Sequence, residues 1–151
     1  MKNIIFVIST VLMLAACATE QTKKQPITLA TPNSQMIEIS SNQTLFVEAI
    51  VTDGKVTRMT PVTEIKNPEI TLTLEFKPFD KGMLLQVNNP FAQDIKYNID
   101  MIDRNGKAHQ TSSCVVIAKG AVFENWPHPI PKLQIKNIRL LKNNEKIACV
   151  Y

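Results

Sequence analysis

Glycine, histidine and the large aromatic residues are scarce in this chain. Its 151 residues include four glycines, two histidines, two tyrosines and a single tryptophan. The chain has too few glycines for a typical glycine-rich loop that binds phosphate, and too few aromatic residues for a platform that stacks nucleic-acid bases. The composition therefore argues against a nucleotide-binding enzyme and against a protein that stacks bases.

Long apolar runs and charge clusters are also lacking. Charged residues make up 20% of the chain and hydrophobic residues 44%, which is typical of a globular protein and not of a disordered or polytopic membrane protein. The formal net charge of +4 is spread along the chain. We expect a solvated surface and no nucleic-acid partner, with mild attraction to anionic envelope polymers as the alternative.

The N-terminal residues have the order of a secretory signal. Lys2 supplies a positive charge, and residues 4–14 form an apolar run that only Ser9 and Thr10 interrupt. A resident transmembrane helix needs about 20 residues, so this run is too short to be one. We expect residues 1–16 to be a cleaved signal peptide.

The signal ends on Leu14-Ala15-Ala16-Cys17, which resembles the lipobox of bacterial lipoprotein precursors. The resemblance implies that Cys17 is lipidated and becomes the first residue of the mature chain. Because Ala18 follows it and not aspartate, the resemblance also implies anchoring to the outer membrane by lipid, facing the periplasm. A plain signal peptide with an incidental Cys17 is the alternative.

After the signal the composition changes. Residues 17–35 are rich in Lys, Gln, Thr and Pro, which predicts a flexible tether. A short strand at residues 27–30 is the alternative. The remaining residues, 36–151, are of a length typical of one domain.

The cysteines agree with an oxidising compartment. If Cys17 carries lipid, Cys114 and Cys149 remain as an even number of thiols. We expect these two to form a disulfide.

From residue 36 onward, apolar residues recur at every second position. The alternation is clearest at residues 45–51 and 70–76, and a turn at 53–54 ends the first of these runs. A period of two is typical of β-strands with one buried face. The pattern predicts an all-β domain.

The strongest local prediction is a hairpin. Residues 95–101 alternate, and the Asn-Gly pair at 105–106 favours a two-residue type I′ turn. A two-residue loop opposes Tyr97 to Cys114 on the core face. The same register leaves Asp100 on the solvent face.

A second hairpin is predicted around residues 143–144. It joins strands at 133–141 and 146–150 and directs Cys149 inward. A change of parity along the first of these strands predicts a bulge near 136–137. The two registers point both thiols toward the core, as a cross-core disulfide requires.

Together these features predict a two-layer antiparallel sandwich of the immunoglobulin-like type. The chain also resembles small periplasmic lipoproteins of the YcfL kind, which implies the same fold and carries no assigned chemistry. The resemblance rests on the motif Tyr97-x-Ile99-x-Met101-Ile102-Asp103-x-x-Gly106, followed by strands that end near Leu141.

Candidate catalytic residues are few. His109 is expected on the polar side of the first hairpin, and His128 lies between prolines. Neither has sequence neighbours with the spacing of a zinc site or of a nucleophile–base pair. Asp100 and Asp103 are interpreted as solvated strand-edge charges. We predict no catalytic residues, no metal and no cofactor, and hence a protein that is not an enzyme.

The segment from Trp126 to Pro131 carries the only tryptophan and alternates prolines. Such a segment is extended and pairs poorly in a sheet, which makes Trp126, His128 and Ile130 candidates for a partner-binding edge. A rigid connection with Trp126 packed over the rim of the core is the alternative.

Two functions follow. The first is a non-catalytic outer-membrane lipoprotein that binds or supports an envelope protein assembly. The alternative is a periplasmic hydrolase inhibitor or a small enzyme that uses an exposed loop. A concave polar pocket with a histidine beside a carboxylate favours the enzyme.

Overall fold

The computed structural model describes residues 35–142, 145, 148 and 149. The predicted signal peptide, the tether up to residue 34 and the alternative strand at 27–30 lie outside this part. So does most of the predicted strand at 146–150.

The described residues are all-β, as the alternation predicts. They contain no helix, and therefore none long and apolar enough to span a bilayer. The strands are β1 (Met36–Ser40), β2 (Gln43–Thr52), β3 (Lys55–Val62), β4 (Thr71–Phe79), β5 (Gly82–Asn88), β6 (Ile95–Ile102), β7 (Ala108–Thr111), β8 (Ala121–Trp126) and β9 (Lys132–Leu140).

All pairings are antiparallel and link the strands into a single sheet. The order is β7-β6-β9-β3-β2-β4-β5-β8, and β1 pairs with β9 outside this path. One residue pair, Lys55 with Arg139, joins β3 to β9, supported by a 2.8 Å hydrogen bond from the Leu140 N–H to the Gly54 carbonyl. The predicted antiparallel sheet is confirmed. A two-layer immunoglobulin-like sandwich is not confirmed, because this junction makes the sheet continuous and the sheet curls over one core.

Strands β2 and β4 show why the alternation was informative. Apart from Thr71, the alternate neighbours are at least partly exposed, whereas the inward side chains are almost fully buried. The inward residues are Leu45, Val47, Ala49, Leu72, Leu74 and Phe76. At the end of β2, Asp53 and Gly54 both have positive φ, 51° and 73°. Two such residues form the tight turn whose twist suits a hairpin.

The β6–β7 turn differs from the predicted one. The Asp103 N–H donates to the Lys107 carbonyl, and the Gly106 N–H donates to the Asp103 carbonyl, each at 3.0 Å. Gly106 has a φ of 80°, whereas Asn105 is not among the positive-φ residues. The loop therefore has three residues, a type I turn followed by a left-handed glycine.

The longer loop moves the strand register by one residue. Ile99 opposes Thr111 and not Ser112, while Ile95 opposes Val116 as predicted. An extra residue between these two pairs restores the register. No cross-strand pair is formed at Tyr97 within the described residues, so its predicted opposition to Cys114 stays a prediction.

Asp100 is also not in solvent. It is 6% exposed, and its carboxylate pairs with the Lys136 ammonium. Strands β7 and β9 flank it on both sides, through Gln110 and Gln134. Side-chain alternation assigns Asp100 to the outer face, but it does not reveal that the neighbouring strands bury this residue.

The disulfide between Cys114 and Cys149 is confirmed, and both residues are half-buried. The predicted bulge in β9 is also confirmed. Asn137 has a φ of 55°, and the pairing of β6 with β9 shifts beside it. The left-handed residue marks the point at which β9 gains one residue over its neighbour.

Candidate functional site

Two edges of the curled sheet face each other. Residues 111–116 lead into a tight turn closed by the Gly120 N–H and the Ile117 carbonyl at 3.0 Å, and β8 leaves it. The two sides pair with different strands, since Val116 bonds to Ile95 and Gly120 bonds to Asn89. They therefore diverge, and we call the space between 111–116 and β8 the seam.

Side chains, not a backbone ladder, bridge the seam. The Cys114 N–H donates to the Glu124 carboxylate at 2.6 Å, and the Trp126 Nε1–H donates to Thr111 Oγ1 at 2.9 Å. The bond between Trp126 and Thr111 lies further from the turn than the bond between Cys114 and Glu124. His109 lies two residues before Thr111, and His128 lies two residues after Trp126.

These two histidines line a half-open cavity of about 290 Å³ at the wide end of the seam. We call it the histidine groove. Its walls are residues 101–104 and His109 from the β6–β7 hairpin, and residues 128–131 from the β8–β9 connection. Most of the lining side chains are apolar.

Strand pairing explains how the groove acquires its histidine. Met101 is the cross-strand partner of His109, so both side chains lie on one face of the hairpin. That face is the one on which Ile95, Tyr97 and Ile99 are buried. His109 therefore points to the mouth of the core and not to the polar side that was predicted for it.

Asp103 holds His109 in place. Its Oδ1 accepts the N–H groups of Asn105 and Lys107 at 2.8 and 2.9 Å, and its Oδ2 accepts from His109 Nε2 at 3.1 Å. The Lys107 N–H, followed by the His109 side chain, holds the pKa of Asp103 below its usual value. The carboxylate is ionised and orients the imidazole.

Besides the ionised Asp103 and the His109 that it orients, the groove is lined by two further polar side chains, Arg104 and His128. Arg104 and His128 are exposed, and within the described part of the chain neither has an ion-pair partner. Asp103 already accepts three hydrogen bonds. An anionic group placed in the groove has Arg104 available to it.

The buried interior of the seam is polar as well. Glu124 is 8% exposed and Tyr97 is 1% exposed, and among the described residues the Tyr97 hydroxyl has no partner of hydrogen-bond geometry. Burial raises the pKa of Tyr97, and the charge of Glu124 raises it further. The hydroxyl is neutral, so it contributes no nucleophile.

The structure separates the three residues predicted to bind a partner. His128 is exposed on the groove, but Trp126 and Ile130 are 6% and 3% exposed and belong to the core. The Trp126 ring packs edge-on against Phe76, with centroids 6.4 Å apart. Trp126 and Ile130 are therefore not presented on the surface as predicted. The alternative, a rigid connection packed on the core, describes both residues.

The groove itself was missed by sequence reasoning. Asp103 and His109 are six residues apart, and only the three-residue loop and the short β7 strand bring them together. An aspartate just before a turn is a common acceptor for turn amides, and that signal was present. No signal in the sequence placed His128 opposite this pair.

In the described residues, no three histidine, cysteine or acidic side chains cluster in a way that would hold a metal ion. No family model, curated protein or solved structure matches the chain.

Proposed function

We propose that the mature protein is a non-catalytic binding module, anchored by lipid to the outer membrane and facing the periplasm, and that the histidine groove binds an envelope protein. The observation that carries this is the groove itself: a half-open, mainly apolar cavity lined by Arg104, which forms no ion pair with the described residues. Apolar sites with a few placed polar groups are typical of ligand recognition.

The walls of the groove suit recognition by shape. Ile130 is buried and rigidly held, and Pro129 and Pro131 restrict the backbone on either side of it. A wall that is already ordered costs little conformational entropy when a partner binds. Arg104 and His128 then supply orientation through charge and hydrogen bonding.

A binding role is favoured over catalysis by the kinds of side chain present. Among the residues that the structure describes, the groove lining holds no serine, threonine or cysteine that would act as a nucleophile. Its histidines serve equally well as hydrogen-bond donors to a partner.

The anchor and its compartment are supported by residues outside the described part. Leu14-Ala15-Ala16-Cys17 resembles a lipobox, and the polar residues after Cys17 suit a tether. The disulfide between Cys114 and Cys149 is consistent with an oxidising periplasm. Kinship with immunoglobulin-like lipoproteins is part of the same proposal.

A small enzyme is the second candidate, on one observation. The Asp103 carboxylate orients the His109 imidazole, as an acid–base catalyst requires, and both line the groove with His128. Such an enzyme would move protons without a covalent intermediate. The enzyme would be favoured if the purified protein turns over a substrate and His109→Gln abolishes this turnover without changing the capture of a partner.

Site-specific photo-crosslinking in intact cells tests the binding role. A photoreactive amino acid at Arg104 or His128 should capture a discrete partner. The same group at Lys55, exposed at the start of β3 and paired with Arg139 near the end of β9, should not. Equal capture from Lys55, or no capture from the groove, would overturn the proposal.

A charge reversal adds a second readout. Arg104→Glu should weaken recovery of the partner with the purified protein, because it repels an anionic group. Arg58→Glu on β3 removes an equally exposed cation away from the groove and serves as the matched control.

A further inference from the structure

Strand β7 is an edge of the sheet. It has four residues, Ala108–Thr111, and pairs only with β6 among the described strands. Ala108, His109 and Gln110 are all exposed. An exposed edge offers its main-chain groups to another extended chain.

The β6–β7 turn determines which main-chain groups point outward. The Asp103 N–H donates to the Lys107 carbonyl, so Asp103 and Lys107 are a hydrogen-bonded pair. Antiparallel pairs alternate, so His109 and Thr111 bond to β6, whereas the N–H and C=O groups of Ala108 and Gln110 point away from it. In the described part of the chain these outward groups have no backbone partner.

This free edge runs along the histidine groove. His109 lies between the two outward residues, and its side chain lines the groove. A strand added beside β7 therefore carries its inward side chains toward the apolar wall at Ile130 and Pro131. The loop residue Arg104 precedes β7 and also lines the groove, and it forms no ion pair with any of the described residues.

The rest of the seam limits how far such a strand extends. Beyond Gln110, Trp126 bonds to Thr111 and Glu124 bonds to the Cys114 N–H. These two side chains fill the space between the edges. Only the first part of β7 is open, which suits a segment of a few residues.

We propose that the partner binds through a short extended peptide segment, which adds as a strand to β7, places an apolar side chain in the histidine groove and an acidic group at Arg104. This rests on the proposed function and specifies the partner's chemistry. Main-chain bonds to Ala108 and Gln110 supply affinity, while the groove and Arg104 supply selectivity.

Peptide selection on the purified full chain in detergent is the first test. A phage-displayed library of random dodecapeptides is panned on wild-type protein and on Arg104→Glu. Wild type should enrich segments with an apolar residue near an acidic one. The absence of any peptide enriched over the Arg104→Glu protein would overturn the inference.

The most enriched peptide, made synthetically, then tests the strand geometry. Gln110→Pro removes the outward N–H of residue 110 but leaves the hydrogen bonds between β7 and β6. Gln110→Ala keeps the outward N–H as well as those bonds. Loss of one main-chain hydrogen bond should weaken binding about fivefold in the proline variant and not in the alanine variant. In wild type, the peptide should slow amide exchange at Ala108 and Gln110.

If Gln110→Pro fails to fold, peptides methylated at alternate backbone nitrogens replace it. One methylation pattern should abolish binding to wild type and the other should not. Equal binding by both patterns, or unchanged exchange at Ala108 and Gln110 when peptide is bound, would overturn strand addition. If strand addition is overturned but photo-crosslinks from Arg104 and His128 still capture a partner, the proposed binding role remains supported.

Discussion

The indole Nε1–H of Trp126 donates to Thr111 Oγ1 across the seam at 2.9 Å. This bond joins β8 to β7, the two ends of the strand order. It satisfies the polar atom of a side chain that is otherwise core, and it fixes the start of the connection that walls the histidine groove. Stability and the shape of the groove therefore depend on the same residue.

Trp126→Ala should destabilise the domain by about 3 to 5 kcal/mol, since it leaves a cavity beside Phe76 and an unpaired Thr111 hydroxyl. Phe123→Ala, on the same strand but 61% exposed, should cost no more than about 0.5 kcal/mol. Denaturant unfolding measures both. Equal midpoints for the two variants would show that the indole is not a core residue.

Replacing Cys114 and Cys149 by alanine should remove roughly 3 to 4 kcal/mol, because the disulfide closes a separation of 35 residues. For a domain of this size, the melting temperature should fall by about 10 °C. Reduction of wild-type protein should reproduce the shift and leave the double variant unchanged. Non-reducing peptide mapping that finds both thiols free would contradict the bridge.

Tyr97→Phe should change the free energy of unfolding by less than about 1 kcal/mol, because the hydroxyl it removes has no partner of hydrogen-bond geometry in the described part of the chain. Ser113→Ala is the comparison, since the buried Ser113 hydroxyl donates to the Tyr97 carbonyl at 2.6 Å. That variant should cost about 1 to 2 kcal/mol. A larger loss from Tyr97→Phe would reveal a partner for the phenol.

Asp103→Asn should loosen the β6–β7 turn at neutral pH. The folded-state pKa of Asp103 is lowered, so its contribution is full above the ordinary value of 3.8 and disappears as pH falls through the lower folded value. Wild type should melt higher than the variant at pH 7, and the difference should shrink on acidification. Glu64→Gln, which removes an exposed carboxylate, is the control. A difference that does not change with pH would exclude the charge as its cause.

Cys17→Ser should block lipid attachment and leave the precursor unprocessed or mislocalised. Labelling with a fatty-acid analogue and membrane fractionation measure this, with Cys114→Ser as the control that keeps the lipobox. Acylation and outer-membrane fractionation of Cys17→Ser at wild-type levels would exclude the lipid anchor.

Local sequence determined the strands and several of their irregularities. Alternation located β2 and β4, the Asp53-Gly54 pair gave the first tight turn, and the change of parity located the bulge at Asn137. Each of these depends on side-chain period or on backbone preference over a few neighbouring residues. The pairing of Cys114 with Cys149 was predicted from the number of cysteines and the expected compartment, and the structure contains it.

The tertiary structure decided which edges meet and what covers each face. A loop of three residues instead of two shifted the β6–β7 register, and strands flanking Asp100 buried a carboxylate that alternation assigns to solvent. The seam that buries Trp126, and the groove that His109 and His128 both line, arise because two chain segments leave one turn to pair with different strands. Such long-range pairings depend on the whole sheet, so no short stretch of sequence encodes them.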